Sequence, residues 1–304
     1  MGGKVAALGK MPSRWRPRPR LLLFGRSWSS YRVCGVTGLG VAAGLATVLA
    51  AHSELSHAAN VALLVTGIGT FLALALATKA IVGQEALIYY HHEVAILTAS
   101  AAVLSAFGWP VRAHLDVMAL ALGTFLAFGR VGCLMVGCCY GTLNHWGVEY
   151  GEEHAAGAFP RHLVGVRLLP VQLFEALVVL LLVVMGCVLF LQGSPPGTAL
   201  SWYVVGYAAA RFWLERVRAD DGRPYWRGFS EAQWTSLVLM SGVVAAERQG
   251  RLPFSPWHTA LWASVGLGML ALTLRMYRRR RRVAAVAALQ GPVDRGAGPT
   301  LNAN

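Results

Sequence analysis

Charge is what this sequence has least of. Charged residues make up 13% of its 304 residues, about half of the ~25% share that a soluble domain carries. The acidic sign is scarcer still, with 14 Asp and Glu against 27 Lys and Arg. Short strands of alternating polarity are missing, which excludes an outer-membrane barrel, whose strands alternate over ~10 residues. The cysteines number five, and Cys34 and Cys187 fall inside apolar runs, so a disulfide framework is excluded. No CxxC pair occurs. No cleavable leader is evident, because the basic stretch of ~30 residues is too long for an n-region and the apolar run after it too long for an h-region. Neither an internal repeat nor a segment with the make-up of a soluble domain is present.

What the sequence has in abundance is apolar residues, 56% of the chain, in long continuous runs. A membrane-crossing helix needs ~20 mostly apolar residues, and only helices or closed barrels satisfy backbone groups in hydrocarbon. The expected fold is therefore an all-α, polytopic transmembrane helical bundle of seven or eight spans. The runs are 31–52, 59–80, 85–107, 115–136, 168–192, 198–217, 231–246 and 257–277, the seventh being short. Residues 1–30, basic and proline-containing (PSRWRPRPR), read as a disordered or interfacial tail. Residues 31–277 form the membrane domain, and 278–304 a second basic, disordered tail. Residues 137–167 read as a polar loop. The net charge of +13 gathers in the two tails. Basic clusters beside membrane helices mark the cytoplasmic side and touch anionic lipid. Nucleic acid is not expected as a partner, because no basic patch lies on a soluble domain. Eight spans place both termini in the cytoplasm; seven place them on opposite sides.

Ionisable residues inside spans are costly and are functional candidates. Arg130 sits among Gly129, Gly132, Gly137 and Gly141 in the segment GRVGCLMVGCCYG. Its planar fork matches phosphate oxygens, and glycines admit a close approach by another backbone or a headgroup; a snorkelling arginine with packing glycines is the plain alternative. Tyr207, Arg211, Glu215 and Arg218 recur at steps that share one helix face, as do Gln172 and Glu175. Either set serves equally as a structural ion pair or as a site. Glu175, two turns into its span, needs a partner, and Arg130 and Arg211 are the natural ones. The block Tyr89-Tyr90-His91-His92-Glu93 offers a histidine beside a carboxylate, fit for general-base work, or an aromatic belt with interfacial histidines. No metal is expected at Cys133, Cys138 and Cys139 with His145, since adjacent cysteines rarely both ligate one tetrahedral ion. The three thiols read as packing residues, with a reactive thiol beside Arg130 as the alternative.

Taken in order, a tyrosine at the start of the first span, the aromatic-histidine block, GRVGCLMVGCCYG, LLPVQLFEAL and GYAAARFWLERVR resemble the prolipoprotein diacylglyceryl transferase family. The likeness covers roughly residues 31–244. Its three signature motifs are a Gly-Arg-x-Gly-Asn segment, a His-Pro-x-Gln-x-Tyr-Glu helix and a Gly-Tyr-x-x-x-Arg-x-x-x-Glu helix. The resemblance implies a multi-pass enzyme of the bacterial inner membrane. Its reaction moves a diacylglyceryl group from phosphatidylglycerol to the lipobox cysteine of a prolipoprotein, with no metal or organic cofactor. By position, the resemblance implies catalytic roles for Arg130, Arg211, Glu175, Glu215 and His91 or His92, with His91, His92 or Tyr90 standing opposite the family's histidine. It implies substrate contacts for Tyr31, Gly129, Gly132, Gly137, Gly141, Gln172 and Tyr207. The chain departs from the family at Cys133 (asparagine in the signature), Cys138 (an acidic residue), Leu169 (histidine) and YYHHE (His-Gly-Gly). Those departures keep open a non-catalytic lipid-binding relative, and a membrane thiol protein using Cys133, Cys138 and Cys139 in redox work.

Overall fold

The computed structural model describes residues 16–83, 89–157, 159–220 and 223–289. Helix is the dominant structure, in nine segments among the described residues: α1 (Ser30–His52), α2 (His57–Val82), α3 (Tyr89–Ala106), α4 (Val111–Val136), the short α5 (Glu152–Ala155), α6 (Val171–Leu191), α7 (Thr198–Leu214), α8 (Glu231–Arg248) and α9 (Pro256–Leu289). Each of the eight apolar runs contains one long helix. Five helices, α1, α2, α4, α6 and α9, are long and apolar enough to cross a membrane. α7 has only 17 residues, and α3 and α8 have 18 each and open on polar residues. At 1.5 Å per residue they reach ~25–27 Å, short of a hydrocarbon core of ~30 Å. The start of the third run lies outside the described residues.

Residues up to Trp262 form one compact unit. Within it α4 is the axis: α1, α6, α7 and α3 pack around it, α2 pairs with α3, and α8 closes on α7. Lipid tails are as apolar as leucine, so this packing rests on close contact at small residues rather than on solvent exclusion. At Gly123 of α4 an added Cβ would lie 2.5 Å from the Tyr203 ring and 2.7 Å from Val183. Glycine there lets α6 and α7 seat against α4, and Val179, Leu182, Val183, Tyr203 and Tyr207 form a core with Ala127. Asp116 of α4 caps α7 from outside. Its carboxylate accepts from the backbone N–H of Gly197 and of Leu200, both at 2.7 Å, which satisfies orphan donors of the helix start. The second unit, from Ala263, is the continuation of α9 as helix to Leu289; helix thus reaches twelve residues into the segment expected to be disordered.

Two further segments differ from expectation. Within the basic N-terminal segment, β1 (Arg20–Leu23) and β2 (Arg26–Ser29) pair antiparallel. Phe24 and Gly25 both adopt positive φ between them, the turn that suits a two-residue hairpin. The stretch expected to be a polar loop after α4 is a packed lobe. β3 (Leu143–Glu149) pairs with β4 (Arg167–Leu168), and Tyr140, Tyr150, Phe159 and Leu168 form a small core. His154 is buried there, its Nε2 donating to the carbonyl of Met135 at 3.2 Å. Enough aromatic residues punctuate the polar ones to build a core, although no periodicity announces it.

Candidate functional site

Three helix ends meet at one place. α4 stops at Gly137, whose positive φ of 78° ends the helix in the left-handed region, a conformation that glycine adopts without cost. Beyond it the backbone is stitched to its neighbours. Gly141 N–H donates to Leu169 O at 2.9 Å, Thr142 N–H to Val217 O at 3.0 Å, and Ala219 N–H to Tyr140 O at 3.0 Å. The turn after α4 is thereby bonded to the start of α6 and the end of α7.

The buried charges assemble just inside this seam. Glu175, 1% exposed, lies between two guanidiniums that are 8% and 4% exposed. Arg130 Nε is 3.1 Å from its Oε2, and Arg211 Nε is 3.7 Å from its Oε1. Tyr207 donates to the same Oε1 at 2.8 Å. Arg211 also reaches Glu215 at 2.9 Å, and Glu215 is held by Arg223 at 2.7 Å and neighboured by Arg218 at 3.7 Å. Asp220 closes the chain, 2.6 Å from Arg218. Among the described residues, four guanidiniums of this network face three carboxylates. Buried charge persists only when compensated, so a network with one excess positive charge is suited to a singly charged anion. Among the described residues, Nη1 of Arg211 has no hydrogen-bond partner.

Arg211 opens onto a small pocket between α3, α7 and α8. Tyr90, Glu93, Tyr207 and Ser236 line it with apolar side chains from the same helices. Glu93 is 4% exposed and takes a hydrogen bond from Tyr203. The pocket thus joins an apolar chamber to the edge of a cationic network.

Not every residue singled out in the sequence comes to this place. Arg130, Arg211, Glu175, Glu215 and Tyr207 do. Gln172 sits one turn before Glu175 and donates to the carbonyl of Cys138 at 2.5 Å and to the Tyr150 hydroxyl at 3.5 Å; it fastens the turn. Burial pushes the Tyr150 hydroxyl above its usual range. The histidines lie elsewhere. His91 is about half exposed and pairs with Glu231 of α8 at 2.7 Å, while His92 packs on Phe71 of α2, ring centroids 4.8 Å apart. In place of the histidines, α3 offers Tyr90 and Glu93 to the pocket. The glycines are mostly occupied by protein. An added Cβ at Gly132 would meet Tyr31 and Cys34, at Gly137 Phe159 and Tyr150, and at Gly141 Val171 with the Leu169 and Val217 carbonyls; Gly129 alone of the four faces open space. Tyr31 therefore packs against α4, within electrostatic reach of Arg130 and the three cysteines. Arg223 and Asp220 carry no signal of a site in the sequence, where Arg223 counts only among the basic residues of a polar loop with no helical spacing to mark it.

The cysteines also converge. The sulfurs of Cys133, Cys138 and Cys139 all lie within 4.8 Å of one another. Adjacent cysteines rarely both ligate one tetrahedral ion, yet these two sulfurs lie together, with Cys139 at a positive φ of 59°.

A family model described as prolipoprotein diacylglyceryl transferase matches residues 92–247. A phosphatidylglycerol–prolipoprotein diacylglyceryl transferase of Dehalococcoides mccartyi is 33% identical over 130 residues, 43% of this chain and 48% of that one. The second such enzyme of Clostridium perfringens is 31% identical over 139 residues, 44% and 50% of the two chains. That of Agrobacterium fabrum is 29% identical over 139 residues, 44% and 45%. The chain spans about half the length of the curated relatives that it matches.

Proposed function

The chain belongs to the prolipoprotein diacylglyceryl transferase family, and from that premise we propose that it moves a diacylglyceryl group from phosphatidylglycerol to the lipobox cysteine of a prolipoprotein. One observation carries the reading: Arg130 and Arg211, 81 positions apart, converge on Glu175 at the edge of a pocket, where, among the described residues, guanidiniums outnumber carboxylates. Phosphatidylglycerol brings a single negative charge on its phosphodiester. Arg211 Nη1 supplies a vacant donor to that phosphate and Arg130 a second cation. Glu175 and Tyr207 hold the two guanidiniums, and Glu215 and Arg223 hold Arg211 from the far side. The lipid reaches the arginines from the side of the apolar pocket-lining residues of α3, α7 and α8.

The reaction needs a thiolate and a stabilised leaving group. Glu93, the carboxylate of the YYHHE block and, with Tyr90, one of its two titratable residues that line the pocket, accepts the proton of the incoming cysteine. The sulfur attacks the glyceryl carbon attached to the phosphate oxygen. A C–S bond forms as the C–O bond breaks, and glycerol 1-phosphate leaves with the electron pair on its oxygen, where the arginines stabilise it. The proton passes from Glu93 to solvent. We place the enzyme in the cytoplasmic membrane of a bacterium, with α3, α7 and α8 crossing alongside the five long apolar helices. The support is that α7, though short, carries the buried network and is packed on both sides, by α6 and α8. The experiment is incubation of the purified chain with labelled phosphatidylglycerol and a lipobox peptide. Label on the peptide is the expected result; phosphatidylglycerol binding without transfer would leave a lipid-binding relative instead.

A further inference from the structure

Outside the proposed reaction, the most concentrated reactive chemistry in the molecule is the thiol cluster where α4 ends. Cys133 is buried in the last turn of the helix, while Cys138 and Cys139 in the following turn are partly exposed. All three are free thiols, with sulfurs within 4.8 Å of one another. Two sulfurs that each lie ~2.3 Å from one metal ion sit about 4 Å apart in a three-coordinate arrangement, so the cluster needs little movement to close. Packing alone accounts poorly for Cys139. A non-glycine residue at positive φ is uncommon, and the conformation costs on the order of 1–3 kcal/mol. Its effect here is to bring two adjacent sulfurs to one point. The turn is held by Gln172 on the Cys138 carbonyl and by the Gly141 and Thr142 seam, so the donors are fixed before anything binds. Three thiolates on one metal ion leave net negative charge, and Arg130 and Arg218 lie within electrostatic reach of the sulfurs.

We propose that Cys133, Cys138 and Cys139 form a binding site for one soft, thiophilic d10 metal ion, copper(I) or zinc(II). Thiolate sulfur selects both ions. Copper(I) is satisfied by the three sulfurs, whereas zinc(II) adds a water in the fourth position. Ligation displaces the thiol protons to solvent, so binding strengthens as pH rises. The proposal does not depend on the transferase reading.

The test uses the full chain in detergent, reduced and without oxygen, titrated with copper(I) or zinc(II) against a competing chelator. The expected result is one equivalent bound, with a thiolate-to-metal absorption band, and slowed alkylation of Cys138 and Cys139 while Cys34 and Cys187 label at unchanged rates. Each single substitution, Cys133→Ser, Cys138→Ser or Cys139→Ser, should weaken binding by more than about a hundredfold, beyond what loss of an outer hydrogen bond does. Which ion binds more tightly distinguishes the two arms. Retention of neither metal, or alkylation of Cys138 and Cys139 unaffected by metal, overturns the site. So does binding that survives in the triple serine chain. Should a serine variant fail to fold, the alkylation pattern of the unsubstituted chain still decides.

Discussion

Arginine and lysine carry one charge each, but only arginine presents two parallel donors to a phosphate. Replacing Arg130 or Arg211 by Lys should leave the fold intact and lower the transfer rate about a hundredfold or more, the scale of losing a preorganised donor to developing charge. Rates with labelled phosphatidylglycerol and a lipobox peptide, beside a thermal melt, check this; full rate in the double Lys chain would sink the phosphate role. Glu93→Gln should abolish thiol activation while lipid binding persists, and His91→Ala should change the rate little, since His91 pairs with Glu231 away from the pocket. The opposite ranking would return the base to the histidine. Glu175→Gln is expected to harm stability as well as activity. It strips the shared partner from two buried guanidiniums, a loss of about 3–5 kcal/mol for a broken buried pair, read as a lower melting temperature in detergent. The sequence disclosed these residues because steps of three and four mark a shared helix face. It could not disclose that Tyr207 bonds Glu175 across helices, that Arg223 returns from a loop to Glu215, or that α3 presents Glu93 rather than a histidine. Those facts depend on how helices are rotated against one another, which spacing along one helix does not encode.

At the scale of the element, hydropathy located all eight long helices, because a run of ~20 apolar residues has few other stable forms in a membrane. Ends were harder. α9 continues as helix to Leu289, since a basic, alanine-containing stretch sustains helix once a preceding turn is formed. The lobe between α4 and α6 was missed because its strands are short and its core rests on scattered aromatics. Helix α7 depends on a residue far from it in sequence. Asp116→Ala should remove two charge-assisted hydrogen bonds from its N-terminus and cost about 1–3 kcal/mol. Amide exchange at Gly197 and Leu200 should rise while α4 itself stays protected; unchanged exchange there would mean that the cap does not support α7.

For the molecule as a whole, five helices are long and apolar enough to cross a membrane, and basic residues at both ends of the sequence point to an even number of crossings. Reporter fusions at Met1 and Asn304 should register on the same face of the membrane, and readings on opposite faces would remove the eight-span arrangement. The seam at Gly141, Leu169 and Val217 has a different bearing, on how this protein tolerates change. The lobe of residues 143–168 leaves the bundle and returns to it through neighbouring backbone bonds. It behaves as a graft on a closed joint. Lengthening it at the exposed turn around Gly165 should leave the Arg130–Glu175–Arg211 distances as they are, while one residue added between Gly137 and Gly141 would throw the two arginines out of register. Variation in length should therefore collect on the far side of that joint, where a lineage can remodel the lobe's outer face without disturbing the charge network that the joint holds in place.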